Sequence, residues 1–313
     1  EYSRRPDMHI WTNRFPPRWL SSFPELVQSP LKMKDEVRGR MDFFEGYLYE
    51  NRQLMCYGER CQWCFLEGLC EEMRRNKEAF ESPDGPERLR VDVSEIESKK
   101  GFLSKSALKS VTLQGASLSG AGIIEEMIAK GVEITLVLDN YAGAEEFIEK
   151  NKNKIVCVAK DADTAARFLK TKGLRFDIEL NRGASGFISK NAVALKKRGV
   201  RLIITNRISA TESVEKDIDL REFFRGAEEC ADIETLNIPG CVTGGPLHKK
   251  PWEFDLSIIG ADGRIDPYAM TFSYIENSYY VFPSGCEKCT LRKDCPGVHI
   301  NSFRARGFKP APR

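Results

Sequence analysis

An excess of charge of one sign is missing from this sequence. Forty-eight Lys and Arg stand against forty-six Asp and Glu, a formal net charge of +2. There is no global field to hold a polyanion by counterion release, and nucleic acid is not expected as a partner. The densest basic stretch, residues 304–313 with Arg304, Arg306, Lys309 and Arg313, reads as a solvated tail. Long apolar runs are missing too. No window approaches about eighteen consecutive apolar residues, and no basic n-region followed by an apolar h-region opens the chain. The expectation is a cytoplasmic protein with no membrane partner. Histidine is scarce, at positions 9, 248 and 299 only, and no H-E-x-x-H, phosphate loop or nucleophile elbow is present. Hydrolase and kinase chemistry therefore has no residues to work with. The stretch "GADGRIDPY" lacks the ligand count of a calcium loop and reads as a turn before a strand.

What is present is ordinary globular composition, 41% hydrophobic and 30% charged, over 313 residues. That is long enough for a full core and an extra module. From about 88 to 240, short β-branched runs alternate with amphipathic stretches. The runs are "RLRVDV" (88–93), "VTLQG" (111–115), "VEITLVLD" (132–139), "KIVCVA" (154–159), "RFDIEL" (175–180), "VRLIITN" (200–206) and "ETLNI" (234–238). Between them lie apolar stripes of helical spacing: Leu118, Ile123, Met127 and Ile128; Ala162, Ala165, Phe168 and Leu169; Leu220, Phe223, Phe224 and Ala227. A period just over twenty residues between successive strand starts suits βαβ units with right-handed crossovers. The spacing predicts a parallel β/α barrel, partial or complete, over a Rossmann sheet, because "LQGASLSGAG" lacks G-x-G-x-x-G. Polar residues follow the strands: Gln114, Asp139, Asn140, Lys160, Asp161, Asn181, Arg182, Thr205, Asn206, Arg207 and Asn237. This edge holds the reacting centre of a β/α barrel, although loops there are also polar simply because they are solvated.

Residues 71–87 are polar and end in Pro-Asp-Gly-Pro, which places a linker over 76–87. The reading divides the chain into a cysteine-rich module (1–75), the linker, a barrel (88–245) and a C-terminal cysteine module (246–313).

Ten cysteines are present, and six form two triplets of one spacing, C-x2-C-x5-C: Cys61, Cys64, Cys70 and Cys286, Cys289, Cys295. Other landmarks recur in the same order. "IWTNRF" (10–15) echoes "IITNRI" (203–208), and "YLYEN" (47–51) echoes "SYIEN" (273–277), before each copy reaches its cysteines. Ordered agreement of this kind favours an internal duplication. On that reading residues 10–70 are the tail of a barrel whose earlier strands lie upstream of Glu1, and the genomic reading frame is expected to extend there. A natural start codon within a few residues of Glu1 removes the expectation.

Thiolates are soft ligands that select iron-sulfur clusters or zinc. Structural zinc takes two close pairs, or cysteines with histidines at short spacing, and neither triplet has that partner pair. A cubane is more forgiving: three thiolates hold three irons, and the fourth iron takes a distant cysteine, another side chain or an exogenous ligand. Cys56, five residues before Cys61, is the candidate fourth ligand of the first module; His299 and Cys241 are the candidates for the second. Cys157 and Cys230 read as buried apolar residues.

The stretch "CEKCTLRKDCPGVHINSFRARGF" resembles the C-terminal end of radical S-adenosylmethionine enzymes with SPASM-type extensions. These bind auxiliary [4Fe-4S] clusters through C-x2-C-x5-C-x3-C. Cys286, Cys289 and Cys295 match, and His299 occupies the place of the last cysteine. Of the upstream G-x4-C, Gly263 matches and Tyr268 stands where the cysteine would be. The resemblance implies an incomplete (β/α)6 barrel, so the expected fold is α/β, a partial (β/α)6-type parallel barrel flanked by two iron-sulfur modules. In "TLQGAS", Gly115 alone matches the Gly-Gly-Glu that would touch the amino group of S-adenosylmethionine. The defining C-x3-C-x2-C is absent after the first strand, where "SEIESKKGFLSKSALK" has no cysteine. "CYGERCQWC", with Cys56, Cys61 and Cys64 as C-x4-C-x2-C, lies ahead of the barrel instead.

Two readings follow. In the first, the chain is an iron-sulfur protein of the radical S-adenosylmethionine type and part of a larger enzyme. It carries two auxiliary [4Fe-4S] clusters for electron relay or substrate binding, with S-adenosylmethionine bound here or only by an upstream domain. A small-molecule or peptide substrate and an electron-donor protein would be its partners. In the second, it is a non-catalytic scaffold or partner-binding protein in which iron-sulfur or zinc clamps loops.

Overall fold

Parallel strands form from all seven β-branched runs in the computed structural model, which describes residues 16–20, 22–54, 61, 63–230, 232–244 and 248–308. They are β1 (Arg88–Asp92), β2 (Ser110–Gly115), β3 (Glu133–Leu138), β4 (Ile155–Ala159), β5 (Arg175–Glu179), β6 (Arg201–Ile203) and β7 (Thr235–Leu236). An eighth strand, β8 (Phe254–Asp255), pairs parallel to β1, so the sheet order is β7-β6-β5-β4-β3-β2-β1-β8. Every consecutive pair from β1 to β7 is adjacent, which is the order of a β/α barrel. The sheet curls into a half-barrel left open between β7 and β8. The β/α rhythm therefore runs one strand past 245; two residues in "EFDLS" are too short to show period-2 alternation.

Side-chain alternation sorts the two faces. Leu89 and Val91, Val111 and Leu113, Ile134 and Leu136, Ile155 and Cys157, Phe176 and Ile178, and Leu202 point one way into the main hydrophobic core. Helices Ala121–Ala129, Glu145–Asn151, Ala162–Lys170 and Arg182–Arg198 cover that face, following their apolar stripes. Asp161 and Asn181 cap two of these helices by accepting the backbone N–H of Thr164 and Ala184, which is why these polar residues follow β4 and β5. The register puts Arg90, Thr112 and Thr135 together on the opposite, inner face, with Asp177 beside Arg201. A polar inner face departs from the near-continuous apolar runs of a sheet packed on both sides. It provides the material for a site.

Residues 76–87 do not form the expected linker throughout. Helix Glu67–Glu81 continues to Glu81 and buries Leu69, Met73 and Asn76. The apolar positions are few enough that its composition reads as solvated. "GADGRIDPY" forms a turn closed by an antiparallel bridge between Ile259 and Ile265, and it leads into helix Pro267–Asn277 rather than a strand. Asp266 caps that helix through the Tyr268 N–H, 2.7 Å away. A two-stranded antiparallel ribbon, β9 (Tyr280–Val281) with β10 (Val298–His299), precedes the C-terminal helix Ile300–Arg306. Among the described residues no helix is long and apolar enough to cross a membrane.

Candidate functional site

The inner face carries two networks of buried charge. In the first, the Glu253 carboxylate accepts from Thr112 Oγ1 (2.6 Å), Arg90 Nε and Nη2 (3.2 and 3.0 Å) and Lys250 Nζ (2.8 Å). Burial alone would raise the Glu253 carboxyl, but Lys250 and Arg90 outweigh it and hold the group below the usual range. Burial, then Arg90, pulls the Lys250 ammonium down. Arg90 also reaches Asn277 Oδ1, so β1, β2, the approach to β8 and helix Pro267–Asn277 are tied at one point.

The second network joins the barrel to the C-terminus. Glu179 accepts from Asn181 Nδ2 (3.0 Å), Thr205 Oγ1 (2.9 Å) and Arg207 Nη2. Arg207 Nε donates to Asp217 Oδ1 at 2.9 Å, and the Arg207 carbonyl accepts from Asn301 Nδ2 at 2.8 Å. Of the residues predicted to gather after the strands, Asn181, Thr205 and Arg207 do so around Glu179. Glu179 itself was not among them. The signal was the pair Asp177 and Glu179 at strand period within an otherwise apolar run, two carboxylates on one face that need cations.

Above β5, β6 and β7 lies a cavity of about 670 Å³, at the edge where β/α barrels keep their ligands. Leu180, Ile204, Asn206, Asn237, Tyr280 and His299 contribute to its wall. Asn206 Nδ2 donates to the Tyr280 hydroxyl at 2.9 Å. Asn237 adopts φ +62°, a left-handed conformation that asparagine tolerates better than most residues. There its N–H bonds the His248 carbonyl at 2.8 Å and its Oδ1 accepts the Lys250 N–H at 2.8 Å, bridging the open side between β7 and β8.

Beside this cavity is a smaller, apolar one, and four cysteines line it: Cys241, Cys286, Cys289 and Cys295. Cys241 arrives in the short helix Gly240–Thr243 directly after β7. The Cys289 N–H bonds the Cys286 carbonyl at 3.1 Å, making the turn of the C-x2-C pair. Cys295 Sγ accepts the Gly297 N–H at 3.4 Å. The Cys286 thiol is pushed up to about 11, first by burial and then by Cys241, Cys295 and Cys289. Burial raises Cys295 as well. A bound cation reverses this preference, because thiolate is then the favoured form. All four are thiols. Among the described residues, no group of three or more His, Cys, Asp or Glu is gathered as the ligands of a metal ion. The four cysteines share the wall of one cavity. His299, the other candidate for the fourth position, faces the larger cavity, with Nε2 on the Ile275 carbonyl at 2.8 Å.

The N-terminal triplet stands on a different scaffold. The Cys64 N–H bonds the Cys61 carbonyl at 2.9 Å, and Cys64 Sγ accepts the Leu66 N–H at 3.4 Å, the same i+2 sulfur contact that Cys295 makes. Cys70 lies within helix Glu67–Glu81. Gly68 lets this helix meet helix Pro267–Asn277: a Cβ there would lie 2.1 Å from the Tyr274 hydroxyl. Trp63 stacks on Trp19 with centroids 4.9 Å apart. Cys56, the expected fourth ligand, lies outside the described residues, as do "IWTNRF" and His9. Gly115 has a packing reason to be glycine: φ is +152°, and a Cβ would meet Val93 Cγ2 at 2.6 Å. Cys157 and Cys230 are fully buried apolar residues.

One pair of the recurring landmarks lies at helix ends. "YLYEN" closes helix Met41–Tyr49 and "SYIEN" closes helix Pro267–Asn277, each ahead of its cysteines. A further echo runs into the start of the first helix and stops just before the second, Gly39-Arg40-Met41-Asp42 and Gly263-Arg264-Ile265-Asp266. Comparison of the chain with family models, curated proteins and solved structures gave no match.

Proposed function

We propose that this chain is an iron-sulfur protein of the radical S-adenosylmethionine type, built on a partial (β/α)6-type barrel and working as part of a larger enzyme. Its two cysteine modules each take an auxiliary [4Fe-4S] cluster. The observation that carries the reading is the arrival of Cys241, from the barrel edge, at the cavity lined by Cys286, Cys289 and Cys295. Four thiols around an apolar space are the donor set a cubane requires, and the Gly297 N–H supplies the hydrogen bond to sulfur that tunes such a centre. Cys241, Cys286, Cys289 and Cys295 would hold the second cluster, and Cys61, Cys64 and Cys70 with Cys56 the first. A bound cluster supplies one-electron chemistry. The protein's part is to keep water off the sulfurs with Phe282, Leu291 and Phe308 and to hold a small-molecule or peptide substrate in the adjoining cavity. S-adenosylmethionine and the reducing cluster that cleaves it belong on this reading to a region upstream, since β1 is followed by no cysteine motif. An electron-donor protein would reduce the assembly.

Anaerobic reconstitution followed by iron, sulfide and zinc analysis tests the reading. About eight irons with matching sulfide per chain are expected for two cubanes. Stoichiometric zinc without sulfide overturns it in favour of a metal-clamped scaffold. One observation favours that second reading: Cys241, just after the edge strand β7, lines the same cavity as the C-terminal triplet, so a metal there would clamp the sheet edge to the terminal module. Formation of 5'-deoxyadenosine from S-adenosylmethionine and reductant by this chain alone is expected to be negligible.

A further inference from the structure

Two residues that line the larger cavity carry polar atoms that the protein leaves unsatisfied. Arg221 Nε and Nη2 and His299 Nδ1 are buried from water and have no hydrogen-bond partner. Both side chains line the 670 Å³ cavity. Buried polar groups are nearly always paired, and leaving a guanidinium desolvated without an anion is costly.

Neighbouring charges are already engaged. Arg306 directs Nη2 to the carbonyls of Ser213, Val214 and Asp217 at 3.4, 3.1 and 2.8 Å. Asp217 accepts from Arg207, and Asp219 Oδ1 caps its helix by accepting the backbone N–H groups of Arg221 and Glu222, both at 2.9 Å. Arg221 instead lies against the Phe308 ring, 5.3 Å from its centroid. Nε and Nη2 form the edge of a guanidinium that can grip a carboxylate or phosphate side-on.

His299 offers the complementary function. It is only 3% exposed. Its Nε2 lies 2.8 Å from the Ile275 carbonyl, which can only accept, so Nε2 carries the hydrogen and Nδ1 carries a lone pair. Burial lowers the imidazole pKa to about 4, so the ring is neutral at pH 7. Nδ1 therefore awaits an O–H or N–H donor. Between these polar points the wall is largely apolar, with Ile204, Ile218, Leu220 and Val298.

We propose that this cavity binds a small organic anion, a carboxylate or phosphate monoester with an apolar body and a hydroxyl or amino group, its acid held by Arg221 and its donor by His299 Nδ1. Pro239, Gly297, Val298 and Phe308 border both this cavity and the cysteine-lined one, so the bound molecule lies next to the four sulfurs. The site names a substrate class for the iron-sulfur reading, but binding does not require that reading to hold.

Titration of the full chain by saturation-transfer NMR, as purified and again after anaerobic reconstitution, tests the site. The probes are 3-phenyllactate, its neutral methyl ester, 3-phenylpropionate and phenyl phosphate. Binding of 3-phenyllactate or phenyl phosphate with Kd below about 1 mM is expected, a modest affinity for ligands of this size. The methyl ester should bind at least tenfold more weakly than 3-phenyllactate, and 3-phenylpropionate, which lacks the hydroxyl, several-fold more weakly. Arg221→Gln should cost tenfold or more for the anions while changing the melting temperature little, because Nε and Nη2 make no hydrogen bond that the substitution would break. Whichever of phenyllactate and phenyl phosphate binds tighter identifies the acid. Equal binding of acid and ester, unchanged affinity in R221Q, or no binding of either anion at millimolar concentration overturns the proposal. Those outcomes are read independently of iron content, so they are distinguishable from failure of the cluster reading.

Discussion

The two cysteine modules share a spacing and differ in what surrounds it. At the C-terminus the triplet lies in the connection between the two strands of the short ribbon, and Cys241, from the helix after β7, lines the same cavity. At the N-terminus Cys61 and Cys64 share a turn while Cys70 is carried on the fifteen-residue helix Glu67–Glu81. On the proposed reading, spacing specifies the donor type and three ligand positions, and the fourth would depend on which neighbouring element the tertiary fold brings to the triplet.

The largest effect expected from perturbing the comparison is on metal content. Replacing Cys61 and Cys64 together by alanine, or Cys286 and Cys289 together, should each remove about four of about eight irons from the reconstituted chain. Loss of all iron from either double variant would mean that the modules build one centre rather than two.

Next comes the joint between the barrel and the C-terminal module. Arg207→Ala leaves Glu179 and Asp217 without their cation, and a broken buried pair of this kind costs about 3–5 kcal/mol, readable as a fall in the urea midpoint. If the two ends of the molecule unfold separately, only the transition reporting on the C-terminal module should shift.

Acid should weaken the C-terminal side through His299. Its folded pKa of about 4 lies below the usual 6.5, so between those values the unfolded chain binds a proton that the folded chain refuses. The contribution is present above about pH 6.5 and is lost as pH falls toward 4, amounting to roughly 3 kcal/mol. Urea unfolding at pH 7 and pH 4.5 measures the slope, and His299→Asn should flatten it whatever its stability at neutral pH.

The smallest expected effect sharpens the N-terminal half of the comparison. Gly68→Ala places a Cβ against the Tyr274 hydroxyl and should cost about 1–3 kcal/mol by overpacking. Gly68→Ala together with Tyr274→Phe, which removes that oxygen, should recover part of the loss in thermal melts. No recovery would mean that the helices are not held together at this contact.

Much of the barrel was legible because β-branched runs at a regular period are hard to make by any other fold, and all seven expected strands form. β8 was not, since two residues carry no period. Helix Glu67–Glu81 read partly as linker because its buried stripe is only Leu69, Met73 and Asn76. In the site, polar residues after the strands pointed to the right edge, but Glu179 hides within an apolar run and is revealed only when Arg207 folds back onto it. The choice between Cys241 and His299 could not be made from distance along the chain. His299 is four residues from Cys295, yet its imidazole hydrogen-bonds to Ile275, whereas Cys241 reaches the cysteine-lined cavity from the short helix that follows β7.

Iron and sulfide content of Cys241→Ala beside His299→Asn, both reconstituted without oxygen, tests the central claim most directly. The account predicts that C241A loses most of the iron of one cubane, or keeps it with a spectrum altered by an exogenous ligand, while H299N retains the wild-type content and spectrum. Wild-type iron and an unchanged spectrum in C241A, with loss in H299N, would contradict it.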